Sequence, residues 1–103
     1  MDKSDPKLLQ SQDEKPEVKQ AVALVYDTKK DNAPRVVASG RGLMAEKILE
    51  IARENHLPIK DDPILAEALS QVDLNQVIPP ELYAVVAEVF AFVYRVRKKK
   101  YGI

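Results

Sequence analysis

The stretch Val36-Val37-Ala38-Ser39-Gly40-Arg41-Gly42-Leu43-Met44-Ala45 restricts the fold more than any other part of the chain. β-Branched residues favour extended backbone, two glycines one residue apart permit a sharp exit, and the residues beyond have helical spacing. A strand therefore ends here in a tight turn that opens a helix. The pattern Gly-x-Gly-x-x-Ala after a strand is also the outline of a dinucleotide-binding turn. Asp61 and Asp62 stand about twenty residues beyond Gly42, where such folds keep a ribose-binding carboxylate. The turn is thus either a phosphate cradle or a pair of structural turn glycines.

Its neighbours bear on the choice. In "AVALVYD", Val22, Leu24 and Tyr26 alternate with Ala21, Ala23 and Val25, and both sets are apolar, as in a strand covered on two faces. "TKKDNAP" is short enough to make this strand and "RVVAS" an antiparallel hairpin. After the glycines, Leu43, Ala45, Ile48, Ile51 and Ala52 recur at three-to-four spacing and form the expected buried stripe of a helix. "LPI" (57–59) is expected to be a third strand, parallel to the second through a right-handed crossover. Asp62 followed by Pro63 starts a second helix. Pro80 and Glu81 open the last and longest one, with Leu82, Val85, Val86, Val89, Val93 and Val96 expected inside. The expectation is an α/β fold, a small mixed sheet of about three strands flanked by three helices. Residues 1–17, polar and broken by Pro6 and Pro16, are expected to be a flexible arm, 18–100 the domain and 101–103 a tail.

Against a dinucleotide site stand three points. Only two helices remain after "LPI", too little for the parallel strands that make a binding crevice. Pro63 makes helix capping the simpler task for Asp61 and Asp62. The glycines leave the second strand of a hairpin, not the first strand of a mononucleotide unit. Composition narrows the rest. Sixteen basic and sixteen acidic side chains cancel, so no overall field steers the chain toward nucleic acid. There is no cysteine, which excludes disulfides and thiolate chemistry, and one histidine, His56, with no nucleophile beside it. Glu46, Glu50 and Glu54 at four-residue spacing read as a solvated helix face rather than a metal site. "RVRKKK" (95–100) suits the end of a helix, where cations complement the dipole. No apolar run approaches the roughly 18 residues of a membrane span, and the polar start lacks a signal core, so a cytoplasmic location is expected.

From residue 21 onward the chain resembles the cytoplasmic domain of the FlhB/YscU/SpaS family, the substrate-specificity switches of flagellar and virulence type III secretion. The resemblance rests on "AVALVYD", on Gly-x-Gly-Leu-x-Ala at 40–45, on Glu-Asn-x-x-Pro-Ile at 54–59, and on Ile-Pro-x-x-Leu-Tyr-x-x-Val-Ala-Glu-Val at 78–89. It implies a small mixed sheet flanked by helices, in agreement with the reading above. Two departures follow from the same comparison. Family members carry a membrane domain ahead of this region, and none is expected here. They also carry Asn-Pro-Thr-His, where an Asn side-chain amide attacks its own carbonyl and breaks the chain. The corresponding positions here are Pro16, Glu17, Val18 and Lys19, none of which offers a carboxamide; Asn32, Asn55 and Asn75 are followed by Ala, His and Gln.

The resemblance therefore implies a non-enzymatic protein without cofactor or metal. Its work would be to engage export substrates or chaperones, or to stand in for the cleaved fragment of a full-length export switch. Partners would be export apparatus proteins, including peripheral contact with the membrane-embedded export gate, and no nucleic acid. By position, the residues matching the family's shallow substrate-peptide patch are Ala33, Pro34, Ala87 and Phe90. The other reading of these four is structural, with Ala87 and Phe90 in the core and Pro34 a turn former. A monomer is expected, with an unpaired sheet edge as the route to a dimer or to capture of an extended segment. The alternative function is phosphate or nucleotide binding at Gly40 to Leu43.

Overall fold

The computed structural model of the protein describes residues 19–101, with 97–101 given by backbone alone. Strands β1 (Gln20–Val25) and β2 (Arg35–Arg41) form the antiparallel hairpin the short loop demands. Gln20 pairs with Arg41 and Val25 with Arg35. Between them the register shifts: Ala23 faces Ala38 while Leu24 faces Val36, which leaves Val37 as an extra residue bulging from β2. Beyond the ladder the Gly42 N–H donates to the Lys19 carbonyl at 2.8 Å.

Helix α1 (Leu43–Glu54) starts at once after Gly42, which takes φ 59° as its N-cap. A left-handed backbone at that position favours glycine. Gly40 has a different reason. A Cβ built on it would lie 2.7 Å from the Met44 Cβ and 3.3 Å from the Ala45 backbone nitrogen, so the first turn of α1 sits directly on the end of β2. Ala45 is fully buried at that contact, and Ile48, Leu49 and Ala52 are half-buried. This close approach rotates the helix from the expected stripe: Leu43 is 84% exposed and Ile51 48%.

The third strand expected at 57–59 does not form among the described residues, whose sheet has two strands. The end of α1 explains why. His56 takes φ 57°, its N–H returns to the Arg53 carbonyl at 3.1 Å, and the Leu57 N–H returns to Ala52 at 2.8 Å. That paired closure is a Schellman stop, and it turns the chain away with one of the three N–H groups already used. Pro58 has none to give. The β2 edge is covered instead by residues 75–78. Asn75 N–H donates to the Val36 carbonyl (2.7 Å), Val36 N–H to Gln76 (3.0 Å) and Ile78 N–H to Pro34 (2.9 Å), around one antiparallel bridge between Arg35 and Val77.

Helix α2 (Pro63–Leu69) begins as expected: the Asp62 carboxylate accepts the Leu65 N–H at 3.0 Å, with Pro63 at the first helical position. Pro80–Leu82 form a 3-10 turn that leads into α3 (Tyr83–Tyr101). The main core joins Ala33, Val36, Leu65, Leu69, Ile78 and Val86, with Val22, Leu24, Val72, Leu82, Val89 and Phe90 packed around it. Val85, expected inside, is 45% exposed, because Leu82 of the 3-10 turn and Val86, Val89 and Phe90 of α3 meet the core instead. Among the described residues, three helices beside a small sheet make the fold α/β, as the sequence indicates. No helix among the described residues is long and apolar enough to cross a membrane.

Candidate protein-binding site

The loop between the strands is held at both ends. At its start the Asp27 carbonyl accepts the N–H groups of Lys30 (3.0 Å) and Asp31 (2.9 Å), and its carboxylate accepts the Lys29 N–H at 3.0 Å. At its far end Arg35 grips Asp31 with two donors, Nη2 to Oδ1 at 2.5 Å and Nε to Oδ2 at 3.2 Å. Those hydrogen bonds hold the Asp31 carboxyl below its ordinary value, and the same contact raises Arg35. The other Arg35 nitrogen donates to the Asn75 carbonyl, which ties the hairpin loop to the turn before Val77.

This loop meets the middle of α3. Ala33 is 3% exposed and shares the core cluster with Val86, while Phe90 is half-buried against the same cluster. Pro34 is buried, and its carbonyl accepts the Ile78 N–H. Ala87 is exposed, one turn before Phe90 on α3. Of the four residues named from the sequence, Ala33 lies in the core cluster against which Phe90 packs, Pro34 is set in the backbone pairing, and Ala87 is open to solvent. Sequence reasoning gave Tyr26 only a place in the strand alternation. Its ring packs edge-on against Phe90 with centroids 6.0 Å apart, and its hydroxyl donates to the Asn32 carbonyl at 3.3 Å. The only signal for it in the sequence is an aromatic at the last alternating position before a polar loop.

The other candidates resolve into packing or solvated surface. Gly40 and Gly42 are both accounted for by the seat of α1 and the helix start, and Glu46 puts a carboxylate in the first turn, where a phosphate would be repelled. The phosphate-cradle reading gains no support. His56 is exposed and serves the helix stop. Glu46 and Glu50 line an open groove of about 520 Å³ with Lys19, Leu49 and Arg53, whose charges oppose one another. No group of metal-ligating side chains occurs among the described residues. Lys19 is exposed at the start of β1; Pro16, Glu17 and Val18 lie outside the described residues. Arg95 is exposed near the end of α3.

Comparison with known proteins bears on the fold and the family. The FlhB HrpN YscU SpaS family matches residues 18–93. An uncharacterised protein of Bacillus subtilis, YlqH, is 42% identical over 78 residues, which cover 76% of this chain and 84% of that one. The flagellar biosynthetic protein FlhB of Escherichia coli is 48% identical over 79 residues, 76% of this chain but 21% of its own. The chain thus spans about a fifth of the FlhB relatives it matches. The crystal structure of the cytoplasmic domain of FlhB from Shewanella putrefaciens superposes with a TM-score of 0.78 at 42% identity, covering 81% of this chain and 65% of that one. Matched over residues 18–93 and sharing the fold of the FlhB cytoplasmic domain, the chain belongs to the FlhB HrpN YscU SpaS family.

Proposed function

We propose that the chain is a non-catalytic, cytoplasmic protein-binding component of flagellar or type III protein export. It engages export substrates or their chaperones, or takes the place of the cleaved fragment of a full-length export switch at the export apparatus. The observation that carries this reading is the junction of the hairpin loop with α3, where an exposed Ala87 stands one turn before a half-buried Phe90 that packs against the core cluster containing Ala33, in a family whose named members are flagellar biosynthetic proteins. A small residue beside an aromatic rim accepts an apolar side chain of a peptide with little ordering on the protein's part, since the loop is already pinned by Asp27 and Arg35. With Pro16 and Glu17 at the scissile positions of the family's Asn-Pro motif, the chain does not cleave itself.

Ala87→Asp tests this directly, because an exposed helix position tolerates the change with a stability cost within about 0.5 kcal/mol. Titration of peptides from early export substrates should show binding weakened at least about tenfold, the scale of placing a charge in an apolar contact. Equal affinity of Ala87→Asp and the unaltered chain would move the site elsewhere.

A further inference from the structure

The basic run at 95–100 belongs neither to the core cluster nor to the surface proposed above. Arg95, Arg97, Lys98, Lys99 and Lys100 put five cations into six residues, with no acid among them. Over the whole chain sixteen cations and sixteen acids cancel, so these five leave the remainder at minus five. The imbalance is sharpest just before the run, where residues 54–94 hold seven acids and one cation, Lys60. A helix C-terminus attracts cations with only about half a unit of negative charge. Five cations exceed that roughly tenfold.

Position keeps the two charges apart. Phe90 is the last residue of α3 packed against the core cluster, yet the helix continues to Tyr101, about 16 Å further along its axis. Arg95 is exposed and has no ion-pair partner among the described residues. The acid-rich stretch reaches α3 at Phe92, where the Lys60 Nζ stands 6.0 Å over the ring. Lys98 lies about 9 Å beyond Phe92 along the axis, past the screening length of about 8 Å at physiological salt.

We infer that the distal turns of α3 dock end-on against an anionic phospholipid surface. At about 100° per residue the five positions fall all round the helix axis, not on one side of it. A protein partner gripping one side of the helix would meet two or three of them, whereas a layer of headgroups entered end-on meets every one. A nucleic-acid groove would also surround the run, but only with the helix laid along it, which brings the acid-rich stretch against the flanking phosphates. Tyr94, 64% exposed at the base of the run, adds an aromatic of the kind that settles at headgroup level. The peptide-binding role and this contact stand independently of each other.

Sedimentation of the full chain with vesicles of phosphatidylglycerol and phosphatidylcholine tests the contact. The chain should bind these and not pure phosphatidylcholine, and binding should fall as salt rises from about 0.1 to about 0.5 M. Each cation near such a surface is worth a factor of about five. Lys98→Gln, Lys99→Gln and Lys100→Gln together should therefore weaken binding about a hundredfold, with the urea midpoint unchanged because the run lies beyond the core. Arg95→Gln alone should weaken it about fivefold. Absence of binding to the mixed vesicles, or equal binding by the triple variant, overturns the proposal. Tighter binding to a double-stranded RNA oligomer or to polyglutamate than to the vesicles also overturns it, and assigns the run to a nucleic acid or an acidic protein.

Discussion

The hairpin has two unlike sides. Around Val36 the chain closes a core of branched side chains, with Ile78 and Val86 at 1% exposure and three backbone hydrogen bonds from 75–78 sealing that stretch of β2. On the side of α1 the buried residues are two alanines, Ala21 and Ala45, while Leu43, Met44 and Ile51 face water. Both sides read as apolar in sequence, yet only one is filled. Stability resides where large side chains interlock; the α1 contact is held by closeness, with small residues letting backbone approach backbone.

Mutation can break this contrast. Ile78→Ala should cost about 2–5 kcal/mol in urea unfolding, while Ile51→Ala should stay within about 0.5 kcal/mol. Similar losses at both positions would erase the distinction. Gly40→Ala probes the α1 side where closeness rather than volume matters. With a Cβ forced to 2.7 Å from that of Met44, a loss of about 1–3 kcal/mol is expected, although no apolar group is removed. Retention of full stability would show that α1 can lift from the sheet at no cost.

The smallest effect concerns the tie between the loop and the sealed edge. The Asp31 carboxyl is held below its unfolded value of about 3.9 by Arg35. Folding therefore favours the ionised form: the contribution is complete above that unfolded value and is lost as pH falls through the folded one. The unfolding midpoint followed from pH 6 downward should decline more steeply for the wild type than for Asp31→Asn. Parallel curves would show that the pair carries no linkage.

How much of this was legible varies with the residues. The hairpin, the Asp62–Pro63 start of α2 and the turn role of Gly42 follow from local chemistry, since turn length, capping side chains and a missing Cβ act within a few residues; Gly40, expected in the turn, lies instead inside β2 beneath the first turn of α1. The strand expected at 57–59 failed because its apolar pair competes with a helix stop. His56 gives no warning of a left-handed backbone, as a glycine would have done. The pairing of 75–78 with β2 was invisible for the opposite reason, being a contact between segments some forty residues apart with a single bridge to mark it. Val37 shows a third limit: a bulge shifts the alternation of β2 by one residue, so a period of two cannot be read straight through it. In the candidate site, family resemblance pointed to Ala33, Pro34, Ala87 and Phe90. The part played by Tyr26 depends on a hydroxyl reaching across a loop, which no spacing rule encodes.

Residues 57–62 link two helices without belonging to the sheet, and apart from the Asp62 cap and Lys60, whose Nζ stands 6.0 Å over the Phe92 ring, they carry few constraints. The stretch behaves as slack between α1 and α2. A change in its length would alter the spacing of those two helices while Val36, Ile78 and Val86, in the core on the other side of the hairpin, keep their places.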